Sequence, residues 1–219
     1  MQASQPGDGP ARDDLDLQRS EQYRFLARII AAPPPARMLA DIASLSGDDT
    51  PLGQAYGALA RTAADTDAAT VEREYFELFI GVGRGELLPY ASFYITGFLN
   101  ERPLADLRAD LARLGVARAA GRHEPEDHIA LILEVMADMA DSTLETDAAD
   151  QAAFFGRHLS PWAAQFFDDL AIAPSARFYR PVAEIGRLLV DIEARAFALA
   201  ALERCDTTGP RPAWMGGST

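Results

Sequence analysis

The stretch Glu124-Pro-Glu-Asp-His-Ile-Ala-Leu-Ile-Leu-Glu-Val-Met-Ala-Asp-Met139 decides the fold class. Its apolar residues Ile129, Ile132, Leu133, Met136 and Met139 recur at intervals of three and four, the spacing of one helical face rather than of a strand. Pro125 suits a first helical turn, where its missing N–H costs nothing. Glu126 and Asp127 would then lie beside the positive end of the helix dipole, each stabilising by about 0.3–1 kcal/mol. The spacing predicts a helix opening at Pro125, with His128 on the same flank as Ile132 and Val135.

The same periodicity extends in both directions. Upstream, Leu15, Tyr23, Leu26 and Ile30 share a face until Pro33-Pro34-Pro35 ends the helix. Met38, Leu39, Ile42 and Leu45 form a short amphipathic segment before Gly47, and Thr50-Pro51 joins an N-cap to a proline at the first helical position. Leu52, Tyr56 and Leu59 follow, then Val71, Tyr75, Leu78 and Phe79 up to Gly81. Gly81-Val-Gly-Arg-Gly-Glu-Leu-Leu-Pro-Tyr90 is the conspicuous non-helical stretch. Beyond it a short helix is expected around Ser92–Leu99, then a stripe of Leu104, Leu107, Leu111 and Leu114 halting at Gly115. Downstream, Phe154, Phe155 and Leu159 reach Ser160-Pro161, Trp162, Phe166 and Leu170 continue, and a last helix runs from Pro181 through Leu199. Alternating β-branched runs and Asn-Gly hairpins are missing. The expected architecture is all-α, a single helical bundle domain over 13–205 with flexible tails at 1–12 and 206–219. The 81–90 loop is expected to form a seam between two lobes.

Composition narrows the partners. The 219 residues, 48% hydrophobic and 24% charged, suffice to bury a sizeable core. Twenty basic residues, all of them arginine, stand against 33 acidic ones for a net charge of −13. Affinity for nucleic acid depends on a basic surface that such a chain lacks, so no nucleic-acid partner is expected. Cys205 is the only cysteine, which excludes intrachain disulfides and multi-cysteine zinc sites. The first residues offer neither a basic n-region nor an apolar h-region, and no uncharged apolar run reaches about 18 residues. Neither a secretory signal nor membrane insertion is expected, and the expected compartment is the cytoplasm.

Catalytic motifs are not found. Gly81-Val-Gly-Arg-Gly85 follows a helix rather than a strand, and the chain has no lysine, so it reads as a helix stop and not a phosphate loop. None of His123, His128 and His158 has a glutamate three residues before it, as a di-iron bundle requires. The residues themselves offer no catalytic group, metal site or cofactor site. What stands out is acid, imidazole and proline together at 124–128, and the aromatics Tyr75, Phe79, Tyr90, Phe93, Tyr94 and Phe98 around the loop. Such aromatics most often serve as core, and such a histidine as a boundary residue. The alternative is a groove in which a carboxylate takes a guanidinium and aromatic walls take apolar side chains.

At these residues the chain resembles the TorD/DmsD/NarJ family, the redox-enzyme maturation chaperones of molybdoenzymes. The resemblance rests on Tyr75-Phe-Glu-Leu-Phe79 before a glycine, Pro89-Tyr-Ala-Ser-Phe-Tyr94, Arg108, and Glu124-Pro-Glu-Asp-His128 followed by Glu134-Val-Met136, and covers roughly residues 20–200. It implies an all-helical cytoplasmic chaperone, not an enzyme. Such a protein binds the twin-arginine signal peptide, and often the body, of a molybdopterin-dependent oxidoreductase before cofactor insertion and export. Tyr75 and Phe79 match the family's aromatic helix, Ser92, Tyr94 and Gly97 the segment after the loop, and Pro125, Asp127 and His128 the signature turn. The stretch Ser92–Arg108 looks closest to members associated with formate dehydrogenase-type enzymes. Family members have been linked with guanine nucleotide and with domain-swapped dimers. The resemblance therefore leaves open a guanine nucleotide, direct contact with the molybdenum cofactor, and a monomer or a swapped homodimer.

Residue chemistry and resemblance lead to one expected site. Asp127, with Glu124 or Glu126, would accept arginines, and Tyr75, Phe79, Tyr94 and Met136 would form the apolar wall. Two rivals stand beside it. A helical enzyme would use Asp127, His128 and Glu134 as acid/base or metal groups, although about 10 Å of helix separates Asp127 from Glu134. An assembly adaptor would bind a folded partner through an exposed helix face.

Overall fold

Proline and cap residues mark where the helices begin. The computed structural model describes residues 14–117 and 124–207. Helix α1 (Asp14–Ala31) stops before the three prolines, and α2 (Ala36–Ala43) follows them. Helix α3 (Pro51–Ala64) opens as its sequence predicts: the Thr50 hydroxyl accepts the Gly53 N–H at 3.0 Å, and Pro51 is the first helical residue. Helix α4 (Ala68–Tyr75), capped by Asp67, passes without a break into a wider π-helical turn, Phe76–Ile80. Gly81 ends that turn at φ +65°, where an added Cβ would lie 2.0 Å from the Arg84 carbonyl oxygen, so only glycine closes it. Then come α5 (Ala91–Thr96), α6 (Arg102–Arg113), α7 (Ile129–Ala140) and α8 (Ala148–Phe154), which runs into a second π-turn at Phe155–Leu159. Helices α9 (Ala163–Ile172) and α10 (Tyr179–Thr207) are the last among the described residues. Among the described residues the extended pairing is a single antiparallel bridge, Tyr90 with His128.

Helix α1 lies along α7, and α10 along both α9 and α3. Elements before the 81–90 loop therefore pack on elements after it. One buried cluster holds Leu26, Ile30 and Leu59 together with Ile132, Phe166 and Val182, and the loop's own Leu87 joins it. This corrects the expected seam: the loop crosses one continuous core and divides no lobes. Helix α10 runs on to Thr207, past the expected boundary at 205, and Cys205 falls in its last turns. The expected tails at 1–12 and 208–219, and His123, lie outside the described residues. No helix among the described residues is long and apolar enough to cross a membrane.

Three of the buried carboxylates, Glu74, Glu193 and Asp110, fasten helices away from the 124–128 turn. Glu74 accepts the backbone N–H groups of Arg177, Phe178 and Tyr179 at 2.8, 3.0 and 2.8 Å, supplying the orphan donors at the start of α10 with a charged acceptor. Glu193 takes two bonds from Arg19, at 2.8 and 2.7 Å, and one from the Tyr23 hydroxyl at 2.9 Å. Asp110 gathers Arg113, Arg157 and His158, the last at 2.7 Å. Burial alone would push the Asp110 carboxyl up, but these partners override it and hold it at about 2. Burial likewise lowers the His158 imidazole despite Asp110, so the neutral ring donates to an ionised carboxylate.

Candidate functional site

The wide turn at Phe76–Ile80 is where the site begins. Its hydrogen bond spans five residues, from the Gly81 N–H to the Phe76 carbonyl at 2.7 Å. The carbonyls of Glu77 and Leu78 are left to accept from the loop, taking Glu86 N–H at 3.1 Å and Leu87 N–H at 2.8 Å. That holds the approach to Pro89 and Tyr90. The next residues pair with the signature turn: Ala91 N–H donates to the Asp127 carbonyl at 2.9 Å, and Ile129 N–H to the Pro89 carbonyl at 2.8 Å. The Tyr90 and His128 rings meet edge to face at 5.2 Å.

The turn does not begin the helix as expected. Residues 124–128 form a turn, closed by His128 N–H donating to the Pro125 carbonyl at 3.2 Å, and α7 starts only at Ile129. His128 is the N-cap, its Nδ1 accepting the Ala130 N–H at 3.1 Å, which places the ring hydrogen on Nε2. The physical reason is that Asp127 faces away from its own helix. Its Oδ2 accepts both the N–H (2.9 Å) and the hydroxyl of Ser92, capping α5 from across the fold. Asp127 is 1% exposed. It is therefore a structural clamp between α5 and α7, not the surface acceptor for arginine expected from the sequence.

A cavity of about 460 Å³ opens beside this clamp, within the size range of ligand pockets. Tyr75, Phe79, Ile80, Pro89, Leu111, Val116, Leu131 and Val135 supply its apolar walls. Glu124, Glu126, Glu134 and Asp138 bring four carboxylates to it, and Tyr90 and His128 complete the lining. Tyr75 donates its hydroxyl to the Ala31 carbonyl at 3.0 Å, while Tyr90 donates to Glu124. Burial first, and then the Glu124 charge, raise the Tyr75 hydroxyl above its usual value; Tyr90 rises for the same reasons, with its bond to Glu124 added. Both stay protonated donors. Among the described residues, Glu126 takes Arg108 at 2.7 Å and Asp138 takes Arg24 at 2.5 Å. The arrangement suits a ligand that is cationic at one end and apolar along its length.

Of the residues expected from the sequence, the cavity brings together Tyr75, Phe79, Glu124, Pro125, Glu126 and His128. It does not include Ser92, Tyr94, Gly97, Asp127 or Met136. Ser92 is buried against Asp127. Tyr94 packs on Trp162 and Phe166 and donates to Asp169 at 3.1 Å. Gly97 is the left-handed C-cap of α5, with φ +83°. Met136 is 0% exposed, because α7 is sunk deeply enough to bury nearly its whole circumference. Sequence reasoning missed Asp138 and the half-buried Leu131. They follow Glu134 and His128 at helical intervals on the flank of α7 opposite Met136, and that spacing was the available signal. Among the described residues no group of three or more His, Cys, Asp or Glu is placed to hold a metal ion.

Comparison with known proteins points in one direction. A family model described as nitrate reductase delta subunit matches residues 46–168. The chain is 33% identical to the chaperone protein TorD of a Vibrio cholerae strain over 139 residues, 58% of this chain and 61% of that protein. To the chaperone protein TorD of Aliivibrio fischeri it is 29% identical over 103 residues, 42% of this chain and 48% of that one. The match thus spans about half to three fifths of the length of these curated relatives. Among solved structures, a protein described as a candidate redox enzyme maturation protein from Archaeoglobus fulgidus shares the fold. Its TM-score is 0.51 at 19% identity, over 79% of this chain and 93% of that one.

Proposed function

We propose, from the premise that this chain belongs to the TorD/DmsD/NarJ family of redox-enzyme maturation chaperones, that it holds an immature molybdopterin-dependent oxidoreductase by its twin-arginine leader. The observation that carries this reading is the cavity beside the signature turn, apolar along its walls and lined with four carboxylates. A twin-arginine leader has the complementary character, guanidinium groups followed by an apolar run. Apolar burial at about 25 cal/mol per Å² supplies most of the affinity, and the carboxylates orient the arginines. Ordering a flexible peptide offsets part of that gain, which keeps binding reversible. No bond is made or broken, and the chaperone acts in the cytoplasm, before export. The likeness of Ser92–Arg108 to certain family members supports a formate dehydrogenase-type client.

Calorimetry with a synthetic twin-arginine peptide tests this. Glu134→Gln and Leu131→Ser alter the cavity and leave the Asp127 clamp intact, so each should weaken binding several-fold with the fold retained. Replacing both peptide arginines by glutamine should also weaken binding, most at low salt, because partly exposed charge pairs are screened. Unchanged affinity in both folded variants would remove the cavity from the leader's path. Affinity capture from cells, read by mass spectrometry, identifies the client.

A further inference from the structure

A second cavity, of about 350 Å³, lies across the Asp127 clamp from the first. Ala91, whose N–H donates to the Asp127 carbonyl, lines this one, while Glu126 and His128, on either side of Asp127, line the other. Its walls include Ile95 of α5, Leu107 of α6, Ile132 of α7 and Pro161 after the second π-turn. The charges are reversed. Where the leader cavity gathers four carboxylates, this one has two guanidinium groups, Arg102 and Arg157, against the single carboxylate of Asp106. That inversion runs against a net charge of −13 for the chain. Both arginines keep donors to spare. Arg157 gives its Nη1 to the buried Asp110, which fixes the guanidinium, and its Nε and Nη2 have no partner among the described residues. Arg102 meets Asp106 at 3.5 Å with its side chain 88% exposed, a loose pair that a ligand can displace. Apolar surface continues past the rim. The loop from Gly97 to Glu101 joins the lining residues Thr96 and Arg102 and leaves Phe98 69% exposed, with Leu99 and Ile95 exposed beside it. Single apolar side chains on a surface are ordinary, but three within five residues at the mouth of an apolar cleft mark a contact surface.

We propose that this cleft is a second polypeptide-binding site, which takes an apolar segment carrying a carboxylate and seats that carboxylate on Arg157 and Arg102. The walls accept apolar side chains, and the spare guanidinium donors match a carboxylate. Phe98 and Leu99 extend the contact beyond what a small acid filling the cavity covers, which favours a chain over a free acid. The proposal rests on the chaperone reading for its partner, a length of immature client other than the leader, whose own arginines these guanidinium groups repel. The two cavities then hold oppositely charged stretches of one unfolded chain on either side of the clamp.

Calorimetry on the full chain tests this with a blocked heptapeptide, one central glutamate flanked by leucine and phenylalanine. The same peptide with glutamine in the centre should bind about two- to tenfold more weakly. Arg102→Gln, on the surface and outside the Asp110 cluster, should weaken the glutamate peptide about two- to fivefold and leave the glutamine peptide unchanged. Phe98→Ser should weaken both. Equal binding of the two peptides, or an Arg102→Gln protein that treats both as the wild type does, overturns the proposal. Hexanoate binding as tightly as the glutamate peptide overturns the choice of a polypeptide. The twin-arginine peptide should not displace the heptapeptide, and Glu134→Gln should bind the heptapeptide as the wild type does. Displacement by the leader peptide overturns the second site. A leader peptide that binds nowhere, with the glutamate preference intact, strikes the leader reading alone.

Discussion

Asp127 separates a structural role from a binding role more sharply than any other residue. Its carboxylate accepts the N–H and hydroxyl of Ser92 in a buried setting, where a charge-assisted bond stabilises by about 1.5–3 kcal/mol. Asp127→Asn should lower Tm by about 3–8 °C and fray α5, seen as lost amide protection over 91–96. Peptide affinity measured well below the transition should fall less than it does in Glu134→Gln. The opposite ranking would return Asp127 to the role of arginine acceptor. This residue also marks how far the sequence could be read. The presence of acid, imidazole and proline at 124–128 was legible as unusual, and Glu124, Pro125, Glu126 and His128 do reach the cavity. Which way each side chain faces was not, because Asp127 turns toward a helix 35 residues earlier in the chain. Local spacing carries no record of a partner at that distance.

Helix ends were legible where their cause is local. Thr50-Pro51, Pro33-Pro34-Pro35, Gly81 and Gly115 mark boundaries through caps, ring geometry or positive φ, and the structure places ends at each. The start of α7 was misplaced because its cap is a histidine side chain, a residue with little capping preference. The depth of packing was equally hidden. Gly186, inside α10, faces Phe167 of α9 so closely that an added Cβ would meet the ring at 2.2 Å. Gly186→Ala should therefore destabilise by about 1–3 kcal/mol through overpacking, although alanine is the better helix former by about 1 kcal/mol. Chemical denaturation decides between these effects by the sign of the change. A stabilised variant would mean that α9 and α10 slide apart freely.

Acid should weaken the whole molecule in two steps set by the Asp110 cluster. His158 is lowered by burial, so the unfolded chain takes up that proton first and stability begins to fall as pH drops below about 6.5. Asp110 lies at about 2 when folded, against 3.8 as an ordinary carboxyl, so its share is present above pH 4 and lost toward pH 2. That share is on the order of 2 kcal/mol. Urea midpoints across pH 2 to 8 should show both steps in the wild type, and Asp110→Asn should flatten the lower one. A lower step that survives Asp110→Asn would assign acid sensitivity to other carboxylates in this strongly acidic chain.

The wide turn at Phe76–Ile80 has a consequence for the history of the chain. A π-turn amounts to one inserted residue, absorbed without rotating the helix on either side. Deleting Glu77, exposed on the outer surface, should let the segment rewind to ordinary pitch with its flanks in place, a rare tolerance for a lost residue within a helix. The cost would appear elsewhere. The carbonyl that moors Glu86 leaves with Glu77, that of Leu78 would turn back into the helix, and the stretch leading to Tyr90 would come adrift. Circular dichroism would then look native while amide exchange at 86 and 87 accelerates. A relative that lacks this one residue would keep the bundle and have to build the mouth of its cavity another way.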